Sequence, residues 1–259
     1  MKGVLTILGS GTSQGIPVIG CSCPVCTSKD KKDNRLRSAA LISANHKNLV
    51  IDSGPDFRYQ MLRENVKQLH GLLITHQHKD HIAGMDDVRA YNFLQNQSMN
   101  VFGLEEVHRA LQNEFHYVFA KNKYPGIPRL NLVPIANETF EPIENFKVIP
   151  IQVLHHKMPV LGFRMGDLTY ITDAKTISKE EIDKIKGTKT LVINALRIEE
   201  HISHFNLEEA LQMIEKIHPQ KAYLTHISHL FGKHEDILRM LPKHVEPAYD
   251  GLKLDFYYE

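Results

Sequence analysis

The chain has 259 residues, 42% of them hydrophobic, enough for a core that buries about three quarters of the unfolded surface. Its 31 basic and 30 acidic residues nearly cancel, so it carries neither the broad cationic surface of a nucleic-acid binder nor the acidic, solvating composition of a disordered chain. No apolar run approaches the ~20 residues that span a bilayer, and the N-terminal run is too short for a secretory signal; a soluble cytoplasmic protein with no membrane partner is expected.

In chain order, residues 4–8 read as an apolar strand that runs into Gly9-Ser10-Gly11. The only cysteines, Cys21, Cys23 and Cys26, follow in a C-x-C-x-x-C cluster. An odd count in one tight group argues against a disulfide framework. Thiolates at this spacing suit tetrahedral zinc, and a histidine from elsewhere would complete a closed structural site in the loop near residues 20–27; free thiols on a surface loop are the alternative. Residues 39–43 and 49–51 read as strands, and Phe57, Met61 and Leu62 recur at helical spacing after Asp56.

Residues 71–75 form a further strand, fully apolar up to Thr75 and so expected to be buried on both faces. It ends in His76-Gln77-His78-Lys79-Asp80-His81. Imidazole and carboxylate are the donors that borderline divalent metals prefer, and the H-x-H-x-D-H spacing can serve two ions. His76 and His78 can point one way on an extended turn while Asp80 and His81 turn toward a neighbouring ion. A solvated histidine-rich loop is the alternative. Helices are expected over 81–94 and 105–119, and residues 121–142, rich in Pro and Asn, read as loop with short strands.

The second half repeats the pattern. Strands are expected at 146–154, 161–165 and 168–172, the last two joined by a turn at Gly166-Asp167. A helix begins at Ser178, with Glu181 at capping-box spacing. Between strands 190–194 and 221–225, Asn206 caps a helix over 207–217 that Pro219 stops. Asp250-Gly251 turns into a last strand, 252–257. Two similar halves of mixed strands and helices fit a layered α/β sandwich, though other layered α/β folds fit as well. His155 and His156, Asp173, and His226 with His229 stand just beyond apolar strands. A single strand-end Asp is more often a turn or cap residue, but four strands ending in ligand-type residues can converge on one rim.

Taken with the Gly9-Ser10-Gly11-Thr12-Ser13-Gln14-Gly15-Ile16-Pro17 run, the cysteine cluster and Leu224-Thr225-His226-Ile227-Ser228-His229, this set resembles the metallo-β-lactamase superfamily and, within it, the PhnP family of phosphoribosyl cyclic phosphate phosphodiesterases. The resemblance covers essentially the whole chain. It implies one metallo-β-lactamase-fold domain over residues 1–259, a four-layer αββα sandwich. It implies two divalent ions, Zn or Mn, one held by His76, His78 and a histidine after strand 146–154, the other by Asp80, His81 and His226, with Asp173 bridging. Of the two candidate histidines, His155 is favoured over His156, since adjacent strand residues face opposite ways. A structural Zn would take Cys21, Cys23, Cys26 and His229, and Asp52 would support the ligand loop.

The implied activity is hydrolysis of a small cyclic phosphate ester by metal-bridged hydroxide attack, with Asp80 in the catalytic site and His204 as proton donor to the leaving group. Asn194 departs from the pattern, since relatives often carry an acid there. Arg197 offers a guanidinium suited to phosphate, or a surface salt bridge. A homodimer is implied by resemblance alone. Two other readings remain: a tRNA 3′-processing endonuclease, which would want a basic RNA-gripping surface, and a zinc-dependent binding module without hydrolysis, which would want a second ligand pair and a basic helix.

Overall fold

The computed structural model describes residues 1–122 and 124–259. Strand β1 (Lys2–Gly9) leads to the hairpin β2 (Ala39–Ala44) and β3 (Lys47–Ile51). Then come α1 (Phe57–Arg63), β4 (Gly71–Leu73), α2 (Lys79–Ile82), α3 (Arg89–Gln95), β5 (Met99–Gly103), α4 (Glu105–Glu114), α5 (His116–Phe119) and β6 (Leu130–Pro134). The second half runs β7 (Phe140–Ile143), β8 (Phe146–His155), β9 (Met158–Met165), β10 (Leu168–Tyr170), β11 (Thr176–Ile177), α6 (Lys179–Ile185) and β12 (Thr190–Asn194). It closes with α7 (Leu207–Ile217), β13 (Lys221–Thr225), α8 (His234–Met240), β14 (Val245–Pro247) and β15 (Lys253–Tyr257).

The strands form two sheets, ordered β15-β1-β2-β3-β4-β5-β6 and β11-β8-β9-β10-β12-β13-β14, with β7 beside β8. Each sheet begins as an antiparallel meander, β1-β2-β3 or β8-β9-β10, and continues as parallel strands joined through helices. This shared plan is the physical content of the two similar halves in the sequence.

The period-two alternation of the strands sorts their side chains between layers. Ile42, Leu49, Ile51 and Leu73 point into the core between the sheets, where they meet Phe146, Leu161, Phe163 and Val192 of the opposite sheet. The alternate residues Leu41, Val50, Leu72 and Val101 face outward onto Phe57, Met61, Tyr91 and Leu111 of the first helical layer. On the other side Val153, Leu191, Ile193 and Leu224 pack on Ala210, Met213, Ile214 and Ile217 of α7. Four layers, αββα, result. Among the described residues no helix is long and apolar enough to cross a membrane.

Several boundaries differ from the sequence expectation for identifiable reasons. The helix expected over 81–94 is broken into α2, a 3-10 turn and α3, because the chain at Gly84 lies against the 53–54 turn. Gly84 N donates to Ser53 O, and a Cβ there would stand 2.1 Å from Gly54 O. The helix expected over 105–119 is interrupted at Phe115. Strands β5 and β14 lacked a legible pattern, being short segments that take their identity from the parallel strands beside them, and so did the seven-residue α8.

Phe163 is fully buried between the sheets. Its replacement by Ala is expected to cost about 3–5 kcal/mol of unfolding free energy through lost transfer energy and an unfilled cavity, read as a lower urea midpoint with an unchanged slope.

Candidate metal centre

The carboxyl ends of β3, β4, β8, β10 and β13 meet on one rim of the sandwich and carry Asp52, the 75–81 turn, His155, Asp173 and His226. Asp52, Asp173 and His226 adopt left-handed backbone conformations, φ 65°, 58° and 57°. That region is uncommon for residues other than glycine, and here it turns each chain sharply at the end of its strand and throws the side chain toward the neighbouring strand ends.

The rings gather closely. His76 lies 4.7 Å from His78, 4.1 Å from His81 and 5.9 Å from His155, centroid to centroid. His81 and His226 stack at 6.1 Å. Asp173 Oδ2 is 3.4 Å from His81 Nε2 and 3.3 Å from His226 Nδ1, and Asp80 Oδ2 is 3.1 Å from His81 Nε2. Donor atoms of His76, His81 and Asp173 come within 4.8 Å of one another, and so do those of His155, Asp173 and His204. Asp173 is the member common to both groups.

Hydrogen bonding fixes the tautomers by elimination. Thr75 Oγ1 donates to Asp52 Oδ2 at 2.9 Å, so it accepts from His76 Nδ1, also at 2.9 Å. His81 Nδ1 donates to Asp52 Oδ2 at 2.7 Å. His155 Nδ1 donates to Ser203 O at 2.8 Å. Ser38 Oγ donates to Gly11 O and therefore accepts from His226 Nδ1 at 3.1 Å. In His76 and His155 Nδ1 is thus engaged outward, away from the cluster; His81 keeps Nδ1 on Asp52 and turns Nε2 toward Asp80 and Asp173, while His226 has Nδ1 on Ser38 and 3.3 Å from Asp173 and its Nε2 on Thr12.

His76 Nε2 and His81 Nε2 are buried without a hydrogen-bond partner among the described residues. Orphaned buried imidazole nitrogens are costly in a protein interior, and imidazole nitrogens converging beside two carboxylates are the donor set that divalent metals take. The residues present therefore fit a metal centre. The electrostatics agree. Burial would raise the Asp173 carboxyl, but His226, His81, His76 and His204 outweigh it and hold it well below the usual range. Burial, followed by His81, keeps His76 well below its ordinary value and hence neutral.

His155 and His156 lie in different surroundings. His155 joins the cluster, while His156 sits exposed in the turn after β8, at φ 56°. His204 packs on the cluster, 4.4 Å from His155 and 4.8 Å from His226, with Nδ1 3.7 Å from Asp173 Oδ1. The Arg197 guanidinium donates to Glu199 O and Glu200 O of its own loop.

A second cluster stands apart. His229 Nδ1 lies 3.4, 3.5 and 3.5 Å from the sulfurs of Cys21, Cys23 and Cys26. A tetrahedral zinc with bonds of about 2.3 Å to sulfur and about 2.0 Å to nitrogen separates those atoms by about 3.5 Å. The backbone N–H of Cys26 and then His229 draw the Cys23 thiol down to about 6, toward the thiolate that metals bind. Because His229 follows His226 by three residues, the two clusters share one chain segment.

The hydroxyls of Ser38 and Thr12 were not singled out in the sequence. Both contact the ring of His226 at 3.1 Å from elements far from it in the chain, and no local spacing announces that. Gly54 is a further support, since a Cβ there would lie 1.9 Å from Asp80 O. Substitution of Gly54 by Ala is expected to push the 80–81 turn outward and to destabilise the protein by at least about 2 kcal/mol, as overpacking against backbone does; urea titration checks it.

Three comparisons bear on this geometry. A family model described as a beta-lactamase superfamily domain matches residues 47–227. The chain is 38% identical over 249 residues, 95% of its length, to a Porphyromonas gingivalis protein named octanoyltransferase, of which it covers 50%. It is 26% identical to ribonuclease Z of Prochlorococcus marinus over 61% of its own length and 48% of that protein. The chain thus spans about half the length of the curated relatives it matches. Among solved structures, a new diphosphatase from the PhnP family superposes with a TM-score of 0.93 at 37% identity, covering 99% of this chain and 98% of that one.

Proposed function

Because the chain belongs to the beta-lactamase superfamily, and within it to the PhnP family, we propose that it is a dinuclear metal-dependent hydrolase whose substrate is a small cyclic phosphate diester. The observation that carries this reading is the set of convergent, unpartnered Nε2 atoms around Asp173. In it His76, His78 and His155 would hold one ion, Asp80, His81 and His226 would hold the other, and Asp173 would serve both. The ions, Zn or Mn, would supply an ionised water at neutral pH and neutralise phosphate charge. A third ion, Zn, would be held by Cys21, Cys23, Cys26 and His229 as a closed structural site.

The protein's own groups do the rest. Asp52 keeps His81 oriented through the 2.7 Å bond to Nδ1, and Ser203 O does the same for His155. His204 is the acid that protonates the leaving alkoxide. It stands over the cluster with Nδ1 unpaired among the described residues; burial and then His226 hold it down to about 2 without substrate, and a bound phosphate anion would favour its charged form. The substrate reaches the site from the rim, where the 196–205 loop carrying His204 is closed by backbone bonds between Leu196 and Phe205 and between Arg197 and Leu207.

The ribonuclease Z likeness supports a phosphodiester substrate and leaves RNA as the competing one; the net charge of +1 offers no general attraction to a polyanion. A panel of bis(4-nitrophenyl) phosphate, five-membered cyclic phosphates, a precursor tRNA and an octanoyl thioester separates the readings. Cyclic and chromogenic diesters are expected to be cleaved and chelation to abolish turnover. Cleavage of precursor tRNA alone, or of the thioester alone, would overturn the proposal. His204→Ala is expected to lower kcat by about 10²–10⁴-fold with the metal content unchanged; unchanged turnover removes the acid role. Metal analysis should find a zinc that survives chelation of the other two ions, and His229→Ala should lose it together with several degrees of Tm.

A further inference from the structure

Asn194 stands where an acid was expected, and the structure gives its amide a specific task. The side chain is fully buried at the end of β12. Its Oδ1 accepts from Ala174 N at 2.8 Å and its Nδ2 donates to Ala174 O at 2.9 Å. The amide thus pairs with both backbone groups of one residue, as an additional strand would. Ala174 is the residue immediately after Asp173, whose backbone holds the left-handed turn.

The same short segment reaches the other site loops. Ala174 O also accepts from Phe205 N, next to His204, and Lys175 N donates to Leu154 O, next to His155. Three site-bearing segments therefore meet at the peptide groups around Ala174, and Asn194 is the side chain that clamps them. We propose that Asn194 is a positioning residue, which sets the bridging carboxylate of Asp173 and the ring of His204 in register by holding Ala174 at both its donor and its acceptor. This rests on the ligand and acid roles assigned above to those two residues.

The chemistry explains why an amide stands here. A carboxylate of the same shape accepts from Ala174 N but turns a second acceptor toward Ala174 O. It also brings a further negative charge beside the fully buried Asp173. An amide satisfies both backbone groups with no charge. A partner one step behind a metal ligand typically governs metal affinity or activity by about 10–100-fold.

Asn194→Asp and Asn194→Leu separate this role from simple support of the fold. The first keeps the shape and the acceptor, and the second keeps the bulk and neither hydrogen bond. Three quantities are measured for each: Tm after chelation of the exchangeable ions, affinity for Zn or Mn by competition with a chromogenic chelator, and kcat and KM on bis(4-nitrophenyl) phosphate. Both variants are expected to remain folded and to bind the exchangeable ions about 10–100-fold more weakly. At saturating metal kcat should fall at least tenfold while KM changes little, because Asn194 does not touch substrate.

Metal affinity and kcat within twofold of the parent in both variants would overturn the proposal, as would losses that only track the folded fraction. If the parent protein cleaves no phosphodiester, the hydrolase reading fails on its own, and the chelator competition still decides the role of Asn194.

Discussion

The carboxylate of Asp52 is the constraint on which the rim of this molecule depends. It is fully buried, and an uncompensated carboxylate at such depth would cost several kcal/mol or neutralise itself. Three donors prevent that: Thr75 N at 2.8 Å, Thr75 Oγ1 at 2.9 Å and His81 Nδ1 at 2.7 Å. Thr75 N and Thr75 Oγ1 both donate to it, the hydroxyl while accepting from His76 Nδ1. Burial alone would lower His81, but Asp52 and Asp173 raise it well above its ordinary value. One carboxylate therefore sets the start and the end of the 75–81 turn, the tautomer of His81 directly, and that of His76 through Thr75. Loss of any one donor would leave the charge undersatisfied, so the turn is held as a unit rather than residue by residue.

What the turn holds in one half of the molecule, the second half answers with the same architecture. In each sheet a meander precedes parallel strands, and it is the carboxyl ends of those strands that open onto the rim. That is the general location of ligand crevices in parallel α/β sheets. Packing the inner faces together brings the two rims into one line. The apolar core and the polar cluster are thus products of one alternation: odd and even positions choose between the layers, and the first residues past the strand ends find no layer to enter. Asp52, Asp173 and His226 are such residues.

Much of this was legible in the sequence, and the missing parts share a cause. The 76–81 run, the cysteine cluster and the apolar runs ending in His155, Asp173 and His226 are local patterns, readable because ligand spacing and strand periodicity are properties of adjacent residues. Strand β5, by contrast, is only five residues long and takes its identity from β4 and β6 on either side. Helix 81–94 has the right periodicity and fails because the chain at Gly84 must lie against the 53–54 turn, thirty residues earlier. Arg197 has phosphate-binding chemistry, but its Nε and Nη2 are bonded to carbonyls of its own loop. His229 could be named as the fourth partner of the cysteines only by resemblance, since 203 residues separate it from Cys26.

The left-handed backbone at Asp52, Asp173 and His226 shows how the fold sustains the site. Each such residue costs on the order of 1 kcal/mol or more and persists only where its surroundings over-determine it. The surroundings here are specific. Asp52 has three donors on its side chain and its own N–H on Leu73 O. Asp173 is followed by Ala174, held by Asn194 and Phe205. His226 precedes Ile227, whose N–H and C=O both bond the Gly-rich N-terminal loop, to Ser10 O and Thr12 N. The same loop sends Gly11 O to Ser38, and Ser38 to the His226 ring. The strain is local, but the bonds that balance it come from both halves of the chain and from its first residues. A site of this kind is completed only when the two halves meet: Asp52 is held within the first and the Asp173 turn within the second, but His226 of the second is held by the N-terminal loop and Ser38 of the first.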